Sequence, residues 1–207
     1  MKNILLVGDS ICIDYCNYLR KYLKKDIELK TKSGVAEAYK NLDFATGANG
    51  GDSDRVLTYV KDLDAKHIIN FDFFFFNCGL HDIKRNGKNE NYQVDIESYK
   101  KNLQSIIDVM EKHKVKIYFI TTTMADRSRY ADGSDFVRYN EDVLEYNKAA
   151  IGVMKKNNIG IVDLYSFTDS LGLQGNDLFR DHTHFQQNVI MLQAAYLAGA
   201  VNCLSEE

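Results

Sequence analysis

The run Phe71-Asp72-Phe73-Phe74-Phe75-Phe76-Asn77 constrains the fold most. Side chains of a strand alternate between two faces, so four consecutive phenylalanines put large apolar rings on both. Neither face can then meet water. A central strand of a parallel sheet, covered by helices above and below, satisfies that requirement.

The rest of the chain fits such a sheet. Asn3 to Val7 reads as a first strand, and Ile27 to Thr31, alternating with period two, as a second. Lys116 to Thr121 and Gly160 to Leu164 supply a fourth and a fifth around the phenylalanine strand. Between them, apolar residues recur at three and four, as in Ile11, Tyr15, Tyr18, Leu19 and Tyr22. That spacing predicts helices over Ile11–Leu23, from Asp52 or Ser53 to about Leu63, and over about Val94–His113, Asn140–Asn157 and Gln186–Leu204, with a weaker one at Val35–Leu42. Thr122 to Tyr139 reads as a long loop, and the polar stretch holding Gly172 and Gly175 as another. No linker or repeat interrupts the pattern, so residues 1–207 are expected to form one α/β domain with right-handed crossovers. Ligands of such sheets bind beyond the carboxyl ends of the strands.

Composition excludes several partners. The net charge is −3 with both signs interspersed, which gives no footprint for nucleic acid. No apolar run approaches the ~20 residues that span a bilayer. The four cysteines, Cys12, Cys16, Cys78 and Cys203, form no C-x-x-C pair and read as free thiols of a reducing compartment. The N-terminus enters a strand without a signal-peptide pattern, so a cytoplasmic location is expected, a removed leader aside.

The chemistry gathers at that carboxyl edge. Gly8-Asp9-Ser10 ends the first strand and presents a serine hydroxyl at the mouth of the sheet. Serine is also a favoured helix cap, and these three residues alone serve either purpose. A nucleophilic serine needs a base. Of the five histidines, His67 and His113 sit at element ends and read as structural, leaving His81, His182 and His184 in loops. In Asp181-x-x-His184 a three-residue offset lets the carboxylate fold back onto the ring, hold Nδ1–H and leave Nε2 for Ser10. His182-x-His184 is a weaker metal pair, since no further ligand cluster supports it, and no cofactor is expected. Donors for an oxyanion are the Ser10 amide at a helix N-terminus, the Gly51 amide in the glycine-dense loop Thr46–Ser53, and the His81 side chain after Gly79.

These blocks, in this order, resemble the SGNH (GDSL-type) hydrolases. Gly8-Asp9-Ser10 is similar to the nucleophile block, Gly51 to the glycine block, Gly79-Leu80-His81-Asp82 to the Gly-x-Asn-Asp block and Asp181-His182-Thr183-His184 to the Asp-x-x-His block. Asn147 and Asp163-Leu164 also resemble family features. Ile11 replaces the usual leucine, and His81 stands where the family has asparagine. A neutral imidazole still donates one hydrogen bond.

The resemblance implies a three-layer α/β/α fold with a five-stranded parallel sheet of flavodoxin-like topology. It implies a Ser10-His184-Asp181 triad and an oxyanion hole of Ser10, Gly51 and His81. The expected function is a metal-independent serine esterase acting on small acyl esters, O-acetyl esters and acetylated carbohydrates among them. Lysophospholipase or thioesterase specificity is one alternative, and a non-catalytic ligand-binding domain of the same fold is another. A phosphate-cofactor module fits poorly, because neither Gly-x-Gly-x-x-Gly nor a Walker lysine is present. Met124, Arg127, Arg129, Tyr130 and Phe136 in the long loop are candidates to line a substrate pocket.

Overall fold

A computed structural model describes residues 1–86 and 91–204. Part of the Lys- and Asn-rich loop expected after Asp82, residues 87–90, lies outside them. In chain order the elements are β1 (Lys2–Val7), α1 (Ser10–Tyr22), β2 (Ile27–Thr31), α2 (Val35–Ala38), α3 (Ser53–Ala65), β3 (Phe73–Phe76) and β4 (Arg85–Asn86). There follow α4 (Ile96–Lys112), β5 (Lys116–Ile120), β6 (Phe136–Val137), α5 (Asn140–Lys156), β7 (Gly160–Val162), α6 (Leu164–Ser170), α7 (Gly175–Leu178) and α8 (Gln187–Leu204).

Five strands form a parallel sheet in the order β2-β1-β3-β5-β7. The phenylalanine strand is its centre, and Phe74 and Phe76 are wholly buried. Phe75 stacks on its register partner Tyr118 at 4.7 Å between centroids, and Phe76 meets Phe119 edge-on at 5.2 Å. The Tyr118 ring lies over Gly160 on β7, where any Cβ would overlap it. Helices α1, α6 and α8 pack together, as do α3, α4 and α5, giving two helical layers around the sheet. Residue Asn147 of α5 ties that layer to the sheet edge, accepting from Thr122 N–H at 2.9 Å and donating to Thr122 O at 2.8 Å. No helix among the described residues is long and apolar enough to cross a membrane.

Two expectations need correction. The long loop Thr122–Tyr139 is not wholly irregular, because β6 within it pairs antiparallel with β4 and a 3₁₀ turn occupies Arg127–Arg129. The polar stretch holding Gly172 and Gly175 is partly helical, since α6 ends just before Gly172 and Gly175 opens α7. The fifth strand ends at Val162. Asp163 leaves the strand to cap α6, accepting from Ser166 N–H at 3.1 Å and from Thr121 Oγ1 at 2.9 Å.

Strand order reverses at β1, which runs between β2 and β3. The loops after β1 and β3 therefore open side by side at the switch point, where α/β sheets bind ligands.

Candidate active site

Ser10 is the first residue of α1, and Asp9 before it is the cap. One oxygen of Asp9 accepts from Ile11 N–H at 3.0 Å. The capping role open to Ser10 from sequence thus falls to its neighbour, and the Ser10 hydroxyl is free for another partner. That partner is His184, whose Nε2 lies 2.8 Å from Ser10 Oγ. On the other side of the ring, His184 Nδ1 lies 2.8 Å from Asp181 Oδ2. Asp181 Oδ1 accepts the backbone N–H groups of Thr183 (2.9 Å) and His184 (2.8 Å), which closes the turn that the three-residue offset called for. Burial works against the Asp181 charge, but hydrogen bonds and attraction from His184 hold its carboxyl well below the usual carboxylate range. An ionised carboxylate only accepts, so Nδ1 carries the proton and the Nε2 lone pair faces Ser10. Ser10 and His184 are both buried.

The expected oxyanion donors are placed differently from one another. The Ser10 N–H opens the helix and has no intrahelical acceptor. The Gly51 N–H donates to Asn49 Oδ1 at 3.0 Å and would meet an oxyanion only by exchanging that partner. Gly51 has φ +73°, and a Cβ there would overlap Ala45 and Arg55. Asn49, wholly buried, also donates to the carbonyls of Leu42 (3.0 Å) and Phe44 (3.3 Å), so it shapes the glycine loop. His81 is buried, and its Nε2 has no partner among the described residues. Burial first, then the nearby Lys84, Arg138 and Arg55, push its pKa well below the usual histidine value, so the ring is neutral. Asp82 ties this loop to the glycine loop, as its two oxygens accept Ser53 N–H at 2.9 and 3.1 Å. Burial raises the Asp82 carboxyl to about 8.

Several residues around the site gave no local signal in the sequence. Arg138 is buried, donating to Leu80 O at 2.6 Å and to Tyr130 Oη at 3.0 Å, with Asp43 Oδ1 at 3.4 Å. Asp43 also faces His182 Nε2 at 3.2 Å, so His182 is engaged in a carboxylate pair. Arg129 donates to Asp181 O at 2.7 Å and to Asn176 Oδ1 at 2.9 Å, clamping the turn that carries the acid. Of the loop residues expected at a pocket, Phe136 lines a cleft of about 530 Å³ together with His81. Met124 and Arg127 line a separate cavity of about 470 Å³, and none of Ser10, Asp181 and His184 lines either of the two. His113 sits apart from the site, against Asp64 at 2.7 Å.

The model of the GDSL-like lipase/acylhydrolase family matches residues 4–194. The chain belongs to that family. As a GDSL-type protein it is a carboxylic ester hydrolase. Solved structures of the same fold include a lipase/acylhydrolase from Enterococcus faecalis, with 20% identity over 99% of this chain and 97% of that one and a TM-score of 0.68. An acetyl xylan esterase (17% identity, 96% and 99% covered, TM-score 0.69) is another. A carbohydrate acetylesterase from Sinorhizobium meliloti (12% identity, 99% and 100% covered, TM-score 0.67) is a third. No curated protein sequence matches this GDSL-family chain.

Proposed function

We propose that this hydrolase cleaves small O-acyl esters through an acyl-enzyme on Ser10. The observation that carries the proposal is the continuous chain Asp181 Oδ2···Nδ1–His184–Nε2···Oγ Ser10, with both links at 2.8 Å. Ser10 Oγ attacks the ester carbonyl while His184 Nε2 takes its proton. The carbonyl oxygen becomes an oxyanion beside the Ser10 N–H and the His81 imidazole, with Gly51 N–H as a third donor once it releases Asn49. Collapse expels the alcohol, which receives the proton from His184. Water then attacks the acyl-enzyme by the same route, returning the carboxylic acid and free Ser10. Acetyl groups on carbohydrates suit the proposal, since relatives of this fold are named for acetyl xylan and carbohydrate acetyl esters.

The direct test is p-nitrophenyl acetate hydrolysis together with labelling by a fluorophosphonate. One adduct, on Ser10, is expected. A protein that neither labels nor cleaves the ester would be the non-catalytic binder. The rate should also fall on acidification, because His184 acts as base only when neutral. A profile flat down to about pH 5 would count against it.

His81→Ala removes a buried imidazole whose Nε2 has no partner among the described residues. It should lower kcat by about 10²–10³ with little change in KM, if the imidazole meets the oxyanion only in the transition state. An unchanged kcat in a folded His81→Ala protein would make the ring a packing group.

A further inference from the structure

The turn that carries Asp181 and His184 meets α1 at two points. Phe179 bridges antiparallel to Phe185, and within that bridge Arg180 N–H donates to His184 O at 2.9 Å. The register therefore sets Arg180 opposite His184, and residues opposite one another in an antiparallel pair share a face. Both side chains reach α1. His184 Nε2 meets Ser10 Oγ at 2.8 Å, and Arg180 Nη2 donates to Asp14 Oδ2 at 2.8 Å. Ser10 and Asp14 are four positions apart, so they lie on one face of the helix, a turn from each other. The two contacts are rungs between the same pair of elements, and the backbone bond from Arg180 to His184 closes them into a ring.

The second rung lies deep on its α1 side. The Asp14 side chain is 5% exposed and that of Arg180 37%. Burial raises the Asp14 carboxyl, and the Arg180 guanidinium first and then His184 draw it back down, which puts Asp14 within electrostatic reach of the His184 ring. The influence is mutual, because a carboxylate favoured by a neighbouring cation favours that cation equally. Among the described residues, the other titratable groups around His184 are Asp181 and His182 of its own turn, Asp9 before α1, Asp43 before α3 and His81 after β3. Replacing Asp14 or Arg180 leaves all of these in place.

We propose that Asp14 and Arg180 are positioning residues for the esterase reaction. Their ion pair holds the Asp181–His184 turn against the helix that presents Ser10, and it sets a carboxylate and a guanidinium whose charges act in opposite senses on the protonation of His184. The proposal rests on the triad reading, in which His184 is the base.

Titration of the His184 ring, followed by NMR and assigned by its loss in His184→Gln, tests this without turnover. Asp14→Asn keeps the size of the side chain, removes the negative charge and leaves the guanidinium. The midpoint should fall by about half a pH unit, roughly threefold in proton affinity. Arg180→Gln removes the positive charge and leaves the carboxylate, so the midpoint should rise. A pair that only braced the fold would leave both midpoints at the wild-type value or move them in the same direction. An unmoved or raised midpoint in Asp14→Asn, or an unmoved or lowered one in Arg180→Gln, would overturn the proposal. Should either variant fail to fold, the other decides alone by its direction. The acid limb of kcat/KM for p-nitrophenyl acetate should follow each midpoint. A limb that stays in place while the ring midpoint moves would instead count against His184 as the base, with the placement of Asp14 and Arg180 around the ring still standing.

Discussion

Ser10→Ala protein is expected to hydrolyse p-nitrophenyl acetate about 10⁴–10⁶-fold more slowly than wild type, and to lose fluorophosphonate labelling altogether. The change removes one oxygen and leaves the local architecture with its other supports. Asp9 still caps α1 through Ile11 N–H, and Asp181 still holds the His184 ring through Nδ1. The loss should therefore be chemical and not conformational, with the fold intact and a melting temperature lowered by about 2–12 °C. One cost is expected: His184 Nε2 loses the Ser10 hydroxyl in a buried site, a penalty on the order of 1–3 kcal/mol unless water enters. Residual cleavage above the buffer rate measures what the remaining oxyanion donors do alone. A variant that kept most of its activity would exclude Ser10 as nucleophile, whatever its distance from His184.

What was legible in the sequence and what was not follows one physical line. Signals that repeat locally were readable. Four adjacent phenylalanines demanded burial on both faces, and the structure puts them at the centre of the sheet. The three-residue offset of Asp181 and His184 demanded a tight turn, and two backbone N–H groups close it on Asp181 Oδ1. The five strands of the sheet followed from similarly local patterns. Short elements were less visible. The two-residue strands β4 and β6 have no room to show a period, and they exist because Arg85–Asn86 meets Phe136–Val137 across the fold. The segment around Gly172 was read by its glycines, although Asp163 and Ser166 already had the spacing of a helix cap.

The supporting residues were hidden for a different reason. Arg138 and Asp43 are 95 positions apart, and neither lies in a pattern that betrays the other. Asn49 lies in the glycine-dense loop with no pattern that marks it, yet it is buried and spends its amide on three backbone groups. This places the glycine loop in a defined shape and gives Gly51 an internal acceptor. A sequence block specifies which residue is near the site, while the hydrogen bonds it makes depend on chain segments far away.

Asp181→Asn should lower kcat by about 10³–10⁴ while the site keeps its shape, and the geometry says why. Asp181 Oδ1 accepts two backbone N–H groups, so in the amide this position must remain the carbonyl oxygen. The NH₂ group is then forced to the position of Oδ2, facing His184 Nδ1 at 2.8 Å. A donor there drives the ring to the tautomer with its proton on Nε2. That nitrogen now donates toward Ser10 Oγ and can no longer take its proton. The ionised Asp181 also favours the imidazolium that forms as Ser10 attacks, and the neutral amide does not. Both effects act on the transition state, so kcat should carry the loss with KM nearly unchanged. The stability effect has a defined sign. The native Asp181 carboxyl lies below its usual range, so its contribution is present above the unfolded value and is lost on acidification through the native one. Asp181→Asn should remove that pH dependence, and because the side chain is 40% exposed the loss in stability should be small beside the loss in rate. Nitrogen-15 shifts of His184 would report the tautomer directly. Wild-type protein should show the proton on Nδ1 and Asp181→Asn the proton on Nε2. An active Asp181→Asn protein with an unaltered tautomer would show that the carboxylate only packs against the ring.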